Sequence, residues 1–452
     1  MKAIRDAVST AAAIRKKMIS PKEAAEESLR RIAAENGIYR AVVRTYPETA
    51  LHHAAQVPAD APFAGVPILL KDICQGLAGH PLTEGSRLYA GRIEPATDPY
   101  VKRLLRLGFV PVGHSNVSEF GIKFVSDSAY YGAVKNPVDP RYHAGGSSGG
   151  AACAVKRGMV PIAAANDGGG SIRIPASFCG LVGFKPTGHR VQFAITHTVR
   201  DAATLYAGLY GSGKDIPPHD LRFAFHTATD HDIAISKDAE DAVQMAVEHL
   251  WEGGIQAVCV RPEVAERELY RRAFLATAAE QYRRFQKEGI ELARGMSEDG
   301  NVLLYTLGER LCKTGEAPLE AEAVQKSGAA LFAFFRSYDI YIQPATARTA
   351  PKLDLLDGVK KSLCGIDDFR ALSTAELVAH MHRLLDPGTA HSPYALTYNL
   401  FGCPSISLPL YIASTGLPIG VLLTAAPGND RALLAAASYF EERGYLRGER
   451  GQ

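Results

Sequence analysis

Two glycine–serine runs lie close together in this sequence and place hydroxyl groups beside bare backbone. The first reads HAGGSSGG over residues 143–150, and the second reads NDGGGSIRIPAS over residues 166–177. Backbone N–H groups of glycine can approach an anion closely because no Cβ stands in the way. In the second run Ser171 follows three consecutive glycines, an order that fits a serine nucleophile whose developing oxyanion receives hydrogen bonds from those glycines. For this run alone, a tight strand-to-helix turn without chemistry is the simpler alternative.

The first run also satisfies the pattern G-x-S-x-G, in which Ser147 would be the nucleophile at the sharp turn of an α/β hydrolase. That alternative requires a later acidic residue and then a histidine, and none of the 14 histidines stands out for the role. His380, His382 and His391 raise the question of a metal site, but the first two are two residues apart and would point to different faces of a helix. A polar surface or pocket wall is the better interpretation of these histidines.

A serine nucleophile needs a base, because a serine hydroxyl is unreactive at neutral pH without one. Lys71 ends the apolar run FAGVPILLKD, which reads as a buried strand. An ordinary lysine, with a pKa of about 10.4, is charged at neutral pH, whereas burial can lower that pKa by ~3 units or more. Lys71 is therefore the candidate base, although a lone lysine in such a position is more often a surface residue.

The elements that must position these residues alternate between helix and strand along the chain. Residues 1 to about 55 read as helices, with Ser20 as an N-cap before Pro21. Short apolar strands then precede and follow the glycine–serine runs, and residues 221–261 read as strand, helix and strand. Residues 265–336 read as helical, and three later strands precede a closing helix. This rhythm predicts one large α/β unit.

Taken together, these motifs resemble those of the amidase signature family. The matching segments are GVPILLKD with Lys71, GGSSGG with Ser147, and NDGGGSIRIPASFCGLVGFKPT with Ser171. The two serines have the family's separation of 24 residues. Weaker similarities, among them GHSNVSEFG and YNLFGCPSISLP, extend the resemblance from the N-terminal helices to the closing helix.

The resemblance implies an α/β fold, an α/β/α sandwich whose large mixed central β-sheet is covered by helices on both faces. It also implies a single domain over residues 1–452, with a signature core at about 60–215 and a helical specificity region at about 265–336. We expect substrate specificity to arise in this helical region and near residues 391–403. The aromatic residues there that would line an apolar pocket, or else belong to the core, are Tyr270, Tyr282, Phe285 and Tyr394.

The resemblance further implies a role for each residue of the site. Ser171 would attack an amide carbonyl, and Ser147, whose peptide bond is cis in the family, would connect Ser171 to a neutral Lys71. The N–H groups that would form the oxyanion hole are those of Gly168, Gly169, Gly170 and Ser171. The residues that would hold the two loops in place are Gly145, Gly146, Ser148, Asp167 and Arg173. No cofactor and no metal are implied.

Two departures from the family pattern bear on the site. His114 and Ser115 stand where the family usually has lysine and threonine. After Arg190 the chain is shorter than in many relatives, because GHRV runs almost directly into ITHTVRD. The shorter connection leaves the triad intact and predicts a changed pocket wall.

Three functions are compatible with these residues. The first is a free-standing amidase that hydrolyses a linear or cyclic carboxamide. The second is a glutaminase-type subunit of a tRNA-dependent amidotransferase, and the third is a non-catalytic protein that keeps the fold. The segment NDGGGS resembles the corresponding segment of stand-alone amidases more than the SDTGGS of amidotransferase subunits. All three triad residues are present, which disfavours a non-catalytic protein. The first function is therefore favoured.

Composition excludes several other classes of protein. The 452 residues are 46% hydrophobic and 22% charged, with a formal net charge of +2, so nothing points to nucleic acid or an anionic membrane surface. No apolar run reaches the ~18 residues of a membrane span. Seven cysteines without a CxxC pair fit reduced thiols. We therefore expect a cytoplasmic protein with a small-molecule amide as substrate, and the family resemblance adds the expectation of a homodimer.

Overall fold

An 11-stranded β-sheet forms the centre of the computed structural model, which describes residues 6–213, 216–315 and 318–447. Two further short strands form a separate ribbon. The strands are β1 (Val42–Thr45), β2 (Pro67–Lys71), β3 (Val110–Ser115), β4 (Asp127–Ser128), β5 (Gly132–Ala133), β6 (Ile162–Asp167), β7 (Val182–Lys185), β8 (Val191–Thr196), β9 (Phe223–Phe225), β10 (Ala257–Cys259), β11 (Ile340–Pro344), β12 (Ser405–Ile412) and β13 (Pro418–Thr424).

The central sheet is mixed, as the resemblance implied. Its strand order is β1-β3-β2-β6-β8-β7-β12-β13-β11-β9-β10. β2 runs parallel to β3 and β6, and β9 runs parallel to β10 and β11. The strands between β6 and β11 pair antiparallel with their neighbours. The predicted fold class is therefore confirmed.

Fifteen α-helices within the described ranges surround the sheet. They are α1 (Ala7–Arg15), α2 (Pro21–Tyr39), α3 (Pro47–Ala55), α4 (Pro99–Arg106), α5 (Gly149–Lys156), α6 (Arg173–Cys179), α7 (Val199–Tyr210), α8 (Lys237–Glu252), α9 (Glu266–Lys287), α10 (Asp299–Thr314), α11 (Glu322–Ser337), α12 (Asp357–Cys364), α13 (Thr374–Thr389), α14 (Ala395–Leu400) and α15 (Asp430–Glu442).

Both faces of the sheet are covered, as β13 illustrates. All seven residues of this strand are buried. Val421 and Leu423 belong to the main hydrophobic core, which includes side chains of α8 and α15. Leu422, between them, belongs to a second cluster with side chains of α11 and α14. Because successive side chains of a strand point to opposite faces, this alternation requires helices on both sides of the sheet.

The N-terminal segment differs from the sequence prediction in one element. Residues 42–45 form β1, a strand antiparallel to β3, where helices alone were expected to about residue 55. Val42, Val43 and Thr45 are β-branched and favour extended backbone, and β3 supplies the pairing partner. The predicted N-cap of α2 is confirmed, because Oγ of Ser20 accepts a hydrogen bond from the N–H of Glu23 at 3.1 Å.

The helices and the possible metal-ligating side chains of the described ranges bear on the partners of this chain. None of the helices there is both long and apolar enough to cross a membrane. In the same ranges, histidine, cysteine, aspartate and glutamate side chains do not gather in groups of three that could hold a metal ion.

Candidate active site

Lys71 and the second glycine–serine run come from neighbouring parallel strands. Lys71 is the last residue of β2, and Asn166 and Asp167 are the last residues of β6. The two strands pair in parallel, with Ile68 opposite Ile162, so their carboxyl ends lie at the same edge of the sheet. Open α/β sheets commonly bind their ligands at this edge.

Lys71, Ser147 and Ser171 form a continuous hydrogen-bonded chain at that edge. Nζ of Lys71 donates to Oγ of Ser147 at 2.8 Å, and Oγ of Ser147 donates to Oγ of Ser171 at 2.9 Å. The peptide bond between Gly146 and Ser147 is cis, as the resemblance implied. Lys71 is fully buried, and Ser171 retains 7% exposure. The structure thus brings the three predicted triad residues together.

Burial changes the charge state of Lys71. Desolvation lowers the pKa of its amine from 10.5 to about 7 and outweighs the opposite effects of Cys74 and Asp167. At neutral pH, a large fraction of this amine is therefore uncharged. A contact that the sequence analysis missed is Oδ1 of Asn166, which accepts from Nζ at 2.5 Å. Its place in the run NDGGGS is the signal by which it could have been found.

The three glycines before Ser171 do not share one role. Gly168 and Gly169 line the cavity described below, whereas the N–H of Gly170 donates to Oδ1 of Asp167 at 2.7 Å. The expectation that the Gly170 N–H serves an oxyanion hole is corrected, because a carboxylate already accepts from it. Gly170 is required instead by its φ of +115° and by a side chain that would lie 2.6 Å from a Cβ there. Among the described residues, the N–H groups of Gly169 and Ser171 have no acceptor.

Asp167 and Arg173 form a fully buried ion pair beside this turn. Nε and Nη2 of Arg173 donate to Oδ2 and Oδ1 of Asp167, each at 2.9 Å. Desolvation favours the neutral acid, but Arg173 holds the pKa of Asp167 well below its ordinary value. The carboxylate also accepts from the N–H of Ile172 at 3.1 Å. Asp167 therefore fixes the backbone on both sides of Ser171, since it binds the N–H groups of Gly170 and Ile172.

Asn399, on α14, completes this buried group and was missed by the sequence analysis. Its Nδ2 donates to Oδ1 of Asp167 at 3.0 Å, and its Oδ1 accepts from Nη2 of Arg173 at 2.6 Å. Asn399 is 232 residues from Asp167 along the chain. The weak similarity in YNLFGCPSISLP is the signal that points to this segment.

The first glycine–serine run packs so closely that none of its four glycines has room for a side chain. A Cβ on Gly145, whose φ is +86°, would lie 2.8 Å from the backbone of α6. A Cβ on Gly146 would lie 2.6 Å from main-chain atoms of the loop around residue 125. Oγ of Ser148 donates to the carbonyl of Asn166 at 3.4 Å, and this hydrogen bond joins the two runs. These contacts hold the loop that presents Ser147.

A cavity of about 580 Å³ opens beside Ser147 and Ser171. The apolar residues in its wall are Ile73, Phe120, Ile122, Phe124, Val191, Ala273, Phe274, Leu385 and Leu396. The polar side chains that α9 contributes are Thr277, Glu280, Gln281 and Arg284. One face of α9 therefore forms a wall opposite the serines.

The four aromatic residues that would either line the pocket or belong to the core are not part of the cavity wall. Tyr270 and Phe285 belong to a hydrophobic cluster, Tyr282 packs against Tyr305, and the hydroxyl of Tyr394 donates to the carbonyl of residue 227 at 2.6 Å. These residues follow the alternative in which they are part of the core. Phe274 is the aromatic residue that α9 contributes to the wall.

The shortened connection after Arg190 forms part of the cavity wall. β8 begins at Val191, which lies opposite Asp167 in β6. Arg190 covers Gly168, where a Cβ would lie 3.5 Å from Cγ of Arg190, and its guanidinium pairs with Glu280 of α9. The two charged residues connect β8 to α9 across the cavity.

His114, the other departure from the family pattern, is held in place by two hydrogen bonds of its ring. Its Nε2 donates to the carbonyl of Gln75 at 2.9 Å, and its Nδ1 accepts from the hydroxyl of Tyr46 at 2.8 Å. Desolvation lowers its pKa to about 4, so the ring is neutral. Its neighbour Ser115 ends β3, opposite Lys71 of β2.

Comparison with known proteins agrees with this geometry. The model of the family described as Amidase matches residues 23–194, the segment that contains Lys71, Ser147 and Ser171. A lipoamidase of Enterococcus faecalis is 32% identical over 457 residues, which are 96% of this chain and 63% of that protein. The solved structure of a 6-aminohexanoate cyclic dimer hydrolase has a TM-score of 0.83 at 25% identity and covers 99% of this chain and 98% of its own. The chain belongs to the amidase signature family.

The family prediction is thus confirmed, and the relatives define its scope. This amidase signature chain spans just under two thirds of the lipoamidase's length. The predicted class of reaction, hydrolysis of an amide, is the one that the names of the lipoamidase and the cyclic dimer hydrolase describe. A glutamyl-tRNA(Gln) amidotransferase subunit of Campylobacter fetus subsp. fetus is also related, at 29% identity over 413 residues, 84% of this chain and 88% of that protein.

Proposed function

We propose that this chain hydrolyses carboxylic amides and cleaves their C–N bond through an acyl-enzyme on Ser171. The observation that carries the proposal is the hydrogen-bonded chain from Nζ of Lys71 through Oγ of Ser147 to Oγ of Ser171, with steps of 2.8 and 2.9 Å. This series of hydrogen bonds ends at Ser171, beside a cavity large enough for a small or medium-sized amide. Membership of the amidase signature family supports the same reaction.

Lys71 is the base in this proposal. Its neutral amine keeps one hydrogen bond to Oδ1 of Asn166, and rotation of the Ser147 and Ser171 hydroxyls would direct the Ser147 proton to the lone pair of Nζ, 2.8 Å away, and the Ser171 proton to Ser147. Ser147 passes its proton to Lys71 and takes the proton of Ser171, whose Oγ attacks the carbonyl carbon. The same path returns a proton to the leaving amine as the C–N bond breaks. Water then gives up a proton along this path and hydrolyses the acyl-enzyme.

The glycine turn stabilises the transition state in this proposal. The N–H groups of Gly168, Gly169 and Ser171 hold the oxyanion, while Gly170 serves as support through its bond to Asp167. Arg173 fixes Asp167, so the donors are already oriented before the substrate binds. No step requires a cofactor or a metal.

The cavity wall favours an amide whose acyl group is largely apolar. Nine apolar residues line it, among them three phenylalanines, and apolar walls with a few polar groups are typical of small-molecule sites. We propose that the chain works as one domain, in which the core at about 60–215 supplies the chemistry. The helical region at about 265–336 supplies specificity, since α9 forms one wall.

The glutaminase subunit is a second candidate because one relative carries that name. Free glutamine has a charged amino group and a charged carboxylate next to its side-chain amide. The charged residues in the wall already pair with protein groups, which makes glutamine the less suitable substrate; they are Asp167, Arg190, Glu280 and Arg284. Ammonia release from glutamine only in the presence of a partner subunit would favour this second candidate.

A panel of aliphatic, aromatic and cyclic amides, assayed for amine release, tests the proposal. We expect hydrolysis by the wild-type chain, none by Ser171→Ala, and wild-type rates for Ser337→Ala, which changes an exposed serine at the end of α11. A fluorophosphonate probe should label the wild type and Ser337→Ala but not Ser171→Ala. Labelling that is unchanged in Ser171→Ala would overturn the proposal, and an unreactive wild type would favour a non-catalytic protein.

The proposal includes a setting for the enzyme. We propose a cytoplasmic protein that acts on a small-molecule amide without nucleic acid or a membrane. The family resemblance adds a homodimer, which light scattering on the purified chain tests directly. A monomer at working concentration would contradict the dimer and leave the chemistry untouched.

A further inference from the structure

Gln281 differs from the other polar side chains that α9 contributes to the cavity wall. The hydroxyl of Thr277 donates to the carbonyl of residue 273, Glu280 pairs with Arg190, and Arg284 pairs with Glu84. Gln281 is 6% exposed, and neither its Nε2 nor its Oε1 has a hydrogen-bond partner among the described residues. The cavity wall therefore contains one buried amide group whose donor and acceptor are both unused by the protein.

A buried polar group without a partner is unfavourable, and nearly all such groups in proteins are satisfied by some partner. The wall of the same cavity also contains apolar side chains, among them Phe124, Phe274 and Leu385. A hydrocarbon chain bound there would leave both amide atoms unpaired. A ligand group that donates and accepts on the same side would pair with both atoms at once.

We propose that Gln281 selects substrates that carry a second carboxamide in addition to the amide that is cleaved. The second group is a primary carboxamide or a lactam, because in these the N–H and C=O lie on the same side and match a side-chain amide. An extended secondary amide presents its N–H and C=O on opposite sides and would satisfy only one atom. This inference rests on the proposed function, since it names the class of amide that the Ser171 site takes.

Matched chromogenic substrates test the proposal. We would compare 4-nitroanilides whose acyl chain ends in a primary carboxamide with analogues that end in a methyl ketone, at several chain lengths. The ketone keeps the acceptor and loses the donor. At the best length, we expect kcat/KM to favour the carboxamide by about 10–100-fold, the range for one buried acceptor, here Oε1 of Gln281, left unpaired.

Two substitutions on α9 distinguish loss of carboxamide recognition from a general loss of activity. Gln281→Leu should abolish the preference for the carboxamide, whereas Gln286→Leu should keep it, because Gln286 bonds to the hydroxyl of Tyr305 outside the cavity. If Gln281→Leu does not fold, Gln281→Met keeps the length of the side chain, removes the amide and should abolish the preference in the same way. A preference below about twofold in the wild type, as expected if water satisfies Gln281, overturns the inference. An equal effect of Gln281→Leu on both substrates overturns it as well.

A binding measurement separates failure of this inference from failure of the proposed function. In Ser171→Ala the amide is not cleaved, so calorimetry compares the affinities of the carboxamide and ketone ligands directly. Tighter binding of the carboxamide that disappears in Ser171→Ala/Gln281→Leu supports the inference even without turnover. Equal affinities overturn it, even if Ser171-dependent hydrolysis of simple anilides upholds the proposed function.

Discussion

The side-chain amine of Lys71 lies 2.8 Å from Oγ of Ser147 and is fully enclosed by protein. Desolvation lowers its pKa to about 7, so the amine changes its charge near neutral pH. The same burial that makes the amine a usable base therefore makes the reaction sensitive to pH.

Activity should fall on the acid side of neutrality. Below a pH of about 7, Lys71 gains a proton and loses the lone pair that accepts the proton of Ser147, so kcat/KM should drop about tenfold per pH unit. Initial rates of amide hydrolysis measured from about pH 5 to about pH 9 check this, with circular dichroism at each pH as the control for folding. A flat profile across this interval would remove Lys71 as the base.

Two substitutions of Asn166 should move the acid limb, which is the fall of kcat/KM below neutral pH, in opposite directions. Asn166→Asp places a carboxylate beside Nζ of Lys71 and favours the ammonium form. The acid limb should therefore shift to higher pH by about 1–3 units. Asn166→Ala removes an acceptor that favours the ammonium form, so the limb should move to lower pH. The pH dependence of kcat/KM distinguishes the two. Shifts in the same direction for both variants would mean that Asn166 acts on something other than this amine.

The triad variants should differ in severity. Ser171→Ala removes the nucleophile and should lower kcat by at least about 10⁴-fold. Lys71→Met keeps the length of the side chain and removes the base, and Ser147→Ala interrupts the relay, each with a loss of about 10²–10⁴-fold. Single-turnover kinetics and fluorophosphonate labelling measure these losses. An active Ser171→Ala beside an inactive Ser147→Ala would instead support the G-x-S-x-G alternative.

Arg173→Met should destabilise the fold as well as the site. It leaves the carboxylate of Asp167 buried without its cation, which costs about 3–5 kcal/mol in comparable cases. Arg30→Met, which removes an exposed ion pair with Glu27 on α2, should leave stability nearly unchanged. Urea unfolding of the two variants and the wild type gives the comparison. Equal midpoints for all three proteins would show that the buried pair is not needed for stability.

Several features followed from the sequence because they depend on local chemistry. Two local motifs indicate the same chemistry in any fold that buries the strand and turns at the glycines. They are the apolar run that ends in Lys71 and the glycine runs around two serines. For the same reason the alternation of helix and strand was sufficient for the fold class. The strand β1 was missed because its pairing partner, β3, lies about 70 residues later in the chain.

The sequence by itself determined the reactive groups, the 24-residue spacing of the serines and the family they belong to. Only the tertiary structure decided that burial lowers the pKa of Lys71 to about 7, that Asn399 joins Asp167 from the far end of the chain, and that the Gly170 N–H points to a carboxylate. It also decided that α9 turns Phe274 and Gln281, rather than Tyr270 and Phe285, toward the cavity. Desolvation, long-range hydrogen bonds and the orientation of a helix all depend on neighbours that are distant in sequence, and no local pattern encodes them.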